Sequence, residues 1–288
     1  MTKRYTREEL VSRLNKTLRE GKPIIVAGAG DGFTAKLEEK GGVDIIGVYN
    51  SGRFRHFGAG SLCGLMPVGQ NNEMVMDYTP EIVAEVKEIP IIAGFCAQDP
   101  RTVWEQWFKQ LADIGVSGFM NFPTVGLIDV DSKYRKNLEE SGLGFDKEAR
   151  VLELAHELDY FTIGYCFTLE EAQMVAKAGV DIVACHVGLT AGGLIGAETV
   201  MSTDESIRVT RELIDAAKQV RPQMDFMAIT HGGIMADPES TAPVLTATEA
   251  VGYLGASSIE RTPVEPAIVK VCQDFKNMSV NVPAWVKL

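Results

Sequence analysis

Two of the four histidines in this chain, His186 and His231, each close an apolar, β-branched segment, VDIVACH (180–186) and DFMAITH (225–231). Imidazole titrates near neutrality, so a histidine at a strand end can exchange a proton with a substrate, hold an oxyanion or ligate a metal. Each can also simply hydrogen-bond a loop carbonyl and fix a turn. Glu260 stands in GASSIER (255–261), after a further apolar segment, and completes the candidate catalytic set. The other polar residues at such ends are candidates for orienting a substrate: Asn50, Ser51 and Arg53 in YNSGRFR, Asn121 in MNFP, and Ser257, Ser258 and Arg261 beside Glu260. Guanidinium suits bidentate recognition of carboxylate or phosphate: Arg261 can supply the charge, and Arg53 and Arg55 are the alternative donors. Gly192, Gly193, Gly232, Gly233 and Gly255 offer backbone amides with no side chain in the way, as an anion cradle or as connectors needing positive φ. Cys96 and Cys185 read as small hydrophobes rather than nucleophiles. His56, in a long connection, and His156, on a predicted helix with a solvated face, lack this placement.

These residues share a location only if the segments bearing them are strands of one parallel sheet. Eight such segments recur: 24–29, 43–49, 90–95, 116–121, 160–166, 180–186, 225–231 and 251–257. Near-continuous apolar strands alternating with helical patterns mean a sheet covered on both faces. Gly closes the preceding helix in KGGVDIIGVY, DIGVSGFMN and KAGVDIVACH, the αβ connection expected of each unit. Eight units without a composition break predict a single (β/α)8 TIM barrel over residues 1–288, with an extra amphipathic helix at the N-terminus. Thr79-Pro80, Asp99-Pro100, Asp237-Pro238 and Thr262-Pro263 read as helix starts, and Thr168/Glu171, Ser202/Glu205 and Thr262/Glu265 as capping boxes. Capping thus accounts for Asp99, Glu171, Asp237 and Glu265 without any role as bases or ligands. The connections 50–78, 122–146 and 187–201 are long enough to be lids or binding loops on the C-terminal face.

Composition narrows the partner. A net charge of −11 argues against nucleic acid, whose affinity comes largely from Lys and Arg on phosphates. It leaves room for a local site for a small anionic metabolite. No apolar run reaches the roughly 20 residues that span a bilayer. Five scattered cysteines without a leader segment predict reduced thiols in the cytoplasm. In WEQWF (104–108), Trp104 and Phe108 share the inward face of a helix, which leaves Trp107 for an interface and predicts a homo-oligomer.

With VYNSGRFR (48–55), NFPTVGLID (121–129), HVGLTAGGLIGA (186–197), HGGIMADPE (231–239) and GASSIERTPVE (255–265) in view, the chain resembles the phosphoenolpyruvate hydrolase-like family of TIM barrels, also described as signal-transduction barrels. The resemblance covers nearly the whole chain and implies kinship with the phosphoenolpyruvate mutase and isocitrate lyase superfamily. That kinship implies Mg2+ held by an acidic cluster. AGFCAQDP (93–100) departs from it, with Cys96 and Gln98 where acids belong, so acid/base chemistry by His186 and His231, or a transition metal on them, suits these residues better. The resemblance implies hydrolysis, or cleavage of a C–C or C–P bond, in a small carboxylated or phosphorylated keto or enol acid. The alternative is a barrel that binds a metabolite or protein and regulates without turnover.

Overall fold

The computed structural model describes residues 2–66 and 69–281. Eight parallel strands close in sequence order: β1 (Ile24–Gly28), β2 (Ile45–Val48), β3 (Ile91–Gly94), β4 (Val116–Met120), β5 (Phe161–Cys166), β6 (Ile182–His186), β7 (Met227–His231) and β8 (Gly252–Gly255), with β8 paired to β1. All eight lie within or beside the expected segments, and the chain is a (β/α)8 barrel. The register sets His186 directly against His231 on neighbouring strands.

Helices α1 (Arg7–Arg19), α2 (Gly32–Gly41), α3 (Asn50–His56), α4 (Asn71–Glu85), α5 (Trp104–Asp113), α6 (Lys133–Glu140), α7 (Phe145–Glu157), α8 (Leu169–Lys177), α9 (Thr203–Val220), α10 (Pro238–Ala247), α11 (Ser257–Glu260) and α12 (Val264–Lys276) follow in chain order. Alternation along the strands splits the apolar residues between two cores. Val26, Ile45, Ile92, Ile163, Ile182, Ile229 and Leu254 fill the barrel, while Val48, Ala93, Phe119 and Val183 pack outward against helices. The N-terminal helix α1, begun by a Thr6/Glu9 capping box, sends Leu10 and Leu14 into the interior cluster and plugs the end remote from the histidines. Among the described residues, no helix is long and apolar enough to cross a membrane.

The expected caps are present at Thr168/Glu171, Ser202/Glu205 and Asp237-Pro238, and the glycines before β2, β4 and β6 have positive φ. Three proline signals mislead. Pro80 lies inside α4, which begins at Asn71; Asp99 instead accepts from the backbone N–H and guanidinium of Arg101, and α5 starts at Trp104. The Thr262 hydroxyl donates to the Ser257 carbonyl, and Glu265 serves Arg261 and Leu194 rather than a capping box. Two of the three long connections are built: 50–78 holds α3, a 3-10 turn (Ser61–Leu65) and the first half of α4, and 122–146 holds a second 3-10 turn (Val125–Leu127), α6 and the start of α7. Trp107 is no interface residue: it is buried between Phe108 and Phe119 in the outer core, while Trp104 is only partly covered.

Candidate active site

A cavity of about 280 Å³ opens at the C-terminal ends of the strands. Its walls come from β2 and α3 (Tyr49, Ser51, Arg55), from the ends of β4 to β7 (Phe122, Tyr165, His186, His231), and from Ser257 after β8. The 187–201 loop roofs it with Leu189, Thr190 and Ile195.

The two histidines are buried, with ring centroids 4.5 Å apart and planes at 64°. Their backbone partners fix opposite tautomers. The Gly188 N–H donates to Nδ1 of His186 at 3.0 Å, so the neutral ring carries its hydrogen on Nε2. His231 Nδ1 donates to the Leu254 carbonyl, so its Nε2 presents a lone pair. Burial holds both rings neutral: it lowers His231 to about 4, against the pull of the Leu254 carbonyl, and places His186 well below the usual histidine range, helped by its neighbour. Tyr165 packs against both rings and Phe167 lies 4.5 Å from His186, which excludes water from this wall. Tyr49 and Tyr165 line the same space, and their hydroxyls are buried without a hydrogen-bond partner among the described residues. Burial keeps both phenols protonated, so they are available as donors.

The opposite wall carries charge. Helix α3 begins directly at the end of β2, and residues two apart on a helix face opposite ways. Arg55 therefore turns inward, and its Nη1 donates to Ser51 Oγ at 3.3 Å and Ser61 Oγ at 3.0 Å. Arg53 turns outward, pairs with Glu81 at 3.2 Å and covers the Phe57 ring, so the cation of the cavity is Arg55 and not Arg53. Glu260 is buried behind Arg55. One oxygen pairs with that guanidinium, and the other accepts from Gly30 N–H at 2.9 Å and faces His56 Nε2 at 3.3 Å. Both oxygens are engaged by protein groups, and Glu260 stands behind the cavity wall and not in it.

His56, which the sequence gives no reason to single out, bridges Glu260 and Asp31 Oδ2, the latter at 2.8 Å from Nδ1. The hydrogen bond to Glu260 raises its affinity for a proton, against burial and with help from Asp31. One signal could have found it: His56 follows Arg55 on a helix beginning at a strand end, and Asp31 caps the helix after β1.

Several residues expected to touch substrate support the walls instead. Asn50 donates to Gly64 O and Asn71 Oδ1, tying down the 3-10 turn. Asn121 donates to Glu148 and accepts from Tyr165 N–H at 2.7 Å, locking β4 to β5. Glu148, whose pKa burial pushes up to about 7 against four hydrogen bonds, also engages Gln98. Ser258 hydrogen-bonds Tyr253 at 2.8 Å, away from the cavity. Gly233 N–H donates to Gly188 O, and a Cβ on Gly232 would lie 2.0 Å from that same carbonyl. These two glycines let the loops after β6 and β7 cross, while Gly255 packs on Ile259. Gly192 and Gly193, both at positive φ, belong to the roof, where Arg261 holds the Gly192 carbonyl at 3.0 Å and pairs with Glu265. Arg261 is thus a clamp on the roof rather than a cation of the cavity. His156 is half-buried with Nδ1 unpartnered among the described residues, not a solvated surface group, and burial lowers its pKa. Cys185 is buried beside Cys166, and the Cys96 thiol is pushed up by burial, which suits neither to nucleophilic attack.

The donor set does not fit a metal. Mg2+ takes oxygen ligands, chiefly carboxylates, and none lines the cavity among the described residues. Glu260, Glu148 and Asp99 are all engaged elsewhere. Among the described residues no group of three His, Cys, Asp or Glu could hold an ion, and the two histidines alone offer one free nitrogen each.

The fold recurs in solved structures. Phosphoenolpyruvate phosphomutase from Streptomyces platensis subsp. rosaceus superposes with a TM-score of 0.59 at 15% identity, over 92% of this chain and 86% of that one. Phosphonopyruvate hydrolase in complex with oxalate and Mg2+ gives 0.55 at 17% over 99% and 93%, and oxaloacetate acetylhydrolase with its product oxalate gives 0.60 at 13% over 98% and 92%. By sequence, the ToMV resistance protein Tm-1(GCR237) of Solanum lycopersicum is 44% identical over 275 residues, 95% of this chain and 36% of that protein. The ToMV susceptible protein tm-1(GCR26) of the same plant is also 44% identical, over 94% of this chain. The chain spans little more than a third of these relatives. The family description Phosphoenolpyruvate hydrolase-like matches residues 9–278, and the chain belongs to that family.

Proposed function

We propose that this barrel is an enzyme acting on a small keto or enol acid, carboxylated or phosphorylated, by hydrolysis or by cleavage of a C–C or C–P bond. The observation that carries the reading is the pair of opposite tautomers: His186 offers an N–H and His231 a lone pair, side by side in one cavity. In this reading Arg55, Ser51 and Ser257 hold the anionic end. The Tyr49 and Tyr165 hydroxyls and His186 Nε2–H donate to the oxygen on which charge develops. Preorganised donors in a site closed to water are the largest common source of transition-state stabilisation. His231 Nε2 takes the proton from the attacking water or the acidic carbon. Alone it is a weak base, but an anion entering the cavity favours the imidazolium and strengthens it. The family and the substrates named for proteins of the same fold support this class, with a chemistry that differs in its donor set.

The test is a turnover screen of 2-keto acids, phosphonates and enol phosphates against the purified chain, with His231→Asn as control. The reading expects turnover of one class, with the variant reduced by about 10²-fold or more. Binding without turnover across the whole panel would favour the regulatory alternative.

A further inference from the structure

The lining of the cavity changes character from the strand ends to the loops. The strand ends bring the two histidines, and one flank presents the Arg55 guanidinium with the hydroxyls of Ser51, Ser61 and Ser257. The loop end is apolar: Leu62 comes from the 3-10 turn after α3, and Leu189 and Ile195 come from the roof. The two loops meet there, since a Cβ on Gly60 would lie 3.6 Å from the Ile195 carbonyl. Leu62 is 45% exposed, and Leu189 and Ile195 are half-buried, so all three keep uncovered apolar surface. Apolar groups lining a concave site beside a few convergent polar ones suit a ligand with an apolar part.

Charge sets what the polar end can take. Arg55 is the only arginine or lysine among the described residues lining the cavity, and Glu260 balances it from behind. Burial holds both imidazoles neutral. Gly233, in the loop after β7, spends its N–H on the Gly188 carbonyl rather than on a phosphate. A dianionic head would therefore enter as unbalanced charge, and desolvating it is costly. A single carboxylate needs only the guanidinium and the hydroxyls. Space points the same way. At ~30 Å³ per water, a cavity of about 280 Å³ has room for about nine waters, so a three-carbon keto acid leaves the apolar end unfilled.

We propose that this site takes a 2-keto acid with one carboxylate and a branched apolar side chain, and that Leu62, Leu189 and Ile195 set this specificity. The proposal rests on the keto- or enol-acid reading above and narrows it. The carboxylate sits on Arg55 and the serines, the keto oxygen faces the Tyr49 and Tyr165 hydroxyls and His186 Nε2, and the side chain covers the three apolar residues.

Calorimetry on the purified chain tests this with two series of acids. Along pyruvate, 2-oxobutanoate, 2-oxopentanoate and 4-methyl-2-oxopentanoate, affinity should rise about fourfold per added carbon. Oxaloacetate, phosphonopyruvate and phosphoenolpyruvate should bind more weakly than 4-methyl-2-oxopentanoate by about tenfold or more. Leu62→Asn and Ile195→Asn, at partly exposed positions, should keep the circular dichroism spectrum and cut the rise to below about twofold per carbon. A flat first series, a dianion that binds more tightly, a rise that survives both substitutions, or no binding of any of these acids would each overturn the proposal. Turnover separates this proposal from the reading beneath it. The expected rise in binding without turnover would refute the enzyme and leave the ligand class standing, whereas turnover of a phosphonate or dicarboxylate would leave the enzyme standing and refute the ligand class.

Discussion

The two walls of the cavity solve the same problem in opposite ways. On the β2 and β8 side a buried charge is kept charged: Arg55 and His56 face Glu260 and Asp31 within hydrogen-bond reach. On the β6 and β7 side the titratable groups are kept neutral by aromatic packing, and each imidazole is oriented by one backbone partner. One wall can attract and hold an anion, and the other can move a proton, because charge and proton-transfer capacity have been separated in space. The contrast also sets opposite pH responses. His231, at about 4 when folded and near 6.5 when unfolded, makes stability rise with pH across that window. His56, raised in the fold, contributes stability that is full below the unfolded value and is lost as pH climbs through its folded value. Glu148, pushed up to about 7 by burial, works against the His231 limb between pH 4.5 and 7, so the two contributions separate only when one residue is replaced at a time.

The most damaging way to break the contrast is Glu260→Gln. It leaves the Arg55 guanidinium buried without its counter-charge and should cost about 3–5 kcal/mol in chemical denaturation. Replacing both partners with apolar residues of similar volume should restore much of this stability while abolishing anion binding, measured by calorimetry. Next, His231→Asn should flatten the acid limb of the stability profile, removing about 3 kcal/mol of pH dependence between pH 4 and 6.5. Urea titrations at intervals across that range measure it directly. The smallest effect belongs to Arg53→Ala. This arginine turns away from the cavity to a half-exposed pair, so stability should move by no more than about 0.5 kcal/mol and ligand affinity not at all.

These effects also mark what can be read without coordinates. Strand positions are legible because a buried parallel strand must be continuously apolar, and the helix-closing glycines fall where αβ turns need positive φ. His186 and His231 follow from strand ends alone. What the string hides is orientation. Arg53 and Arg55 look equivalent in it, but helix geometry sends one to Glu81 and the other to Glu260, a partner 205 residues away along the chain. Asn121 and Asn50 stand at strand ends yet are consumed by backbone groups and by Glu148, whose place in the site no local pattern reveals. Proline is ambiguous for a related reason: Pro80 fits inside α4 as well as at a start, since a helix interior loses one hydrogen bond and bends but need not end. The spacing of Trp107 from Trp104 and Phe108 points it outward, but the outer core is deep enough to bury it.

The central claim is the pair of neutral imidazoles in opposite tautomers, and long-range nitrogen–proton NMR of the histidine side chains reads it directly. At pH 7 the account predicts protonated Nε2 with bare Nδ1 for His186 and protonated Nδ1 with bare Nε2 for His231, with His231 first titrating near pH 4 and His186 still neutral well below pH 6.5. An imidazolium at either position at pH 7, or the same tautomer at both, would contradict it.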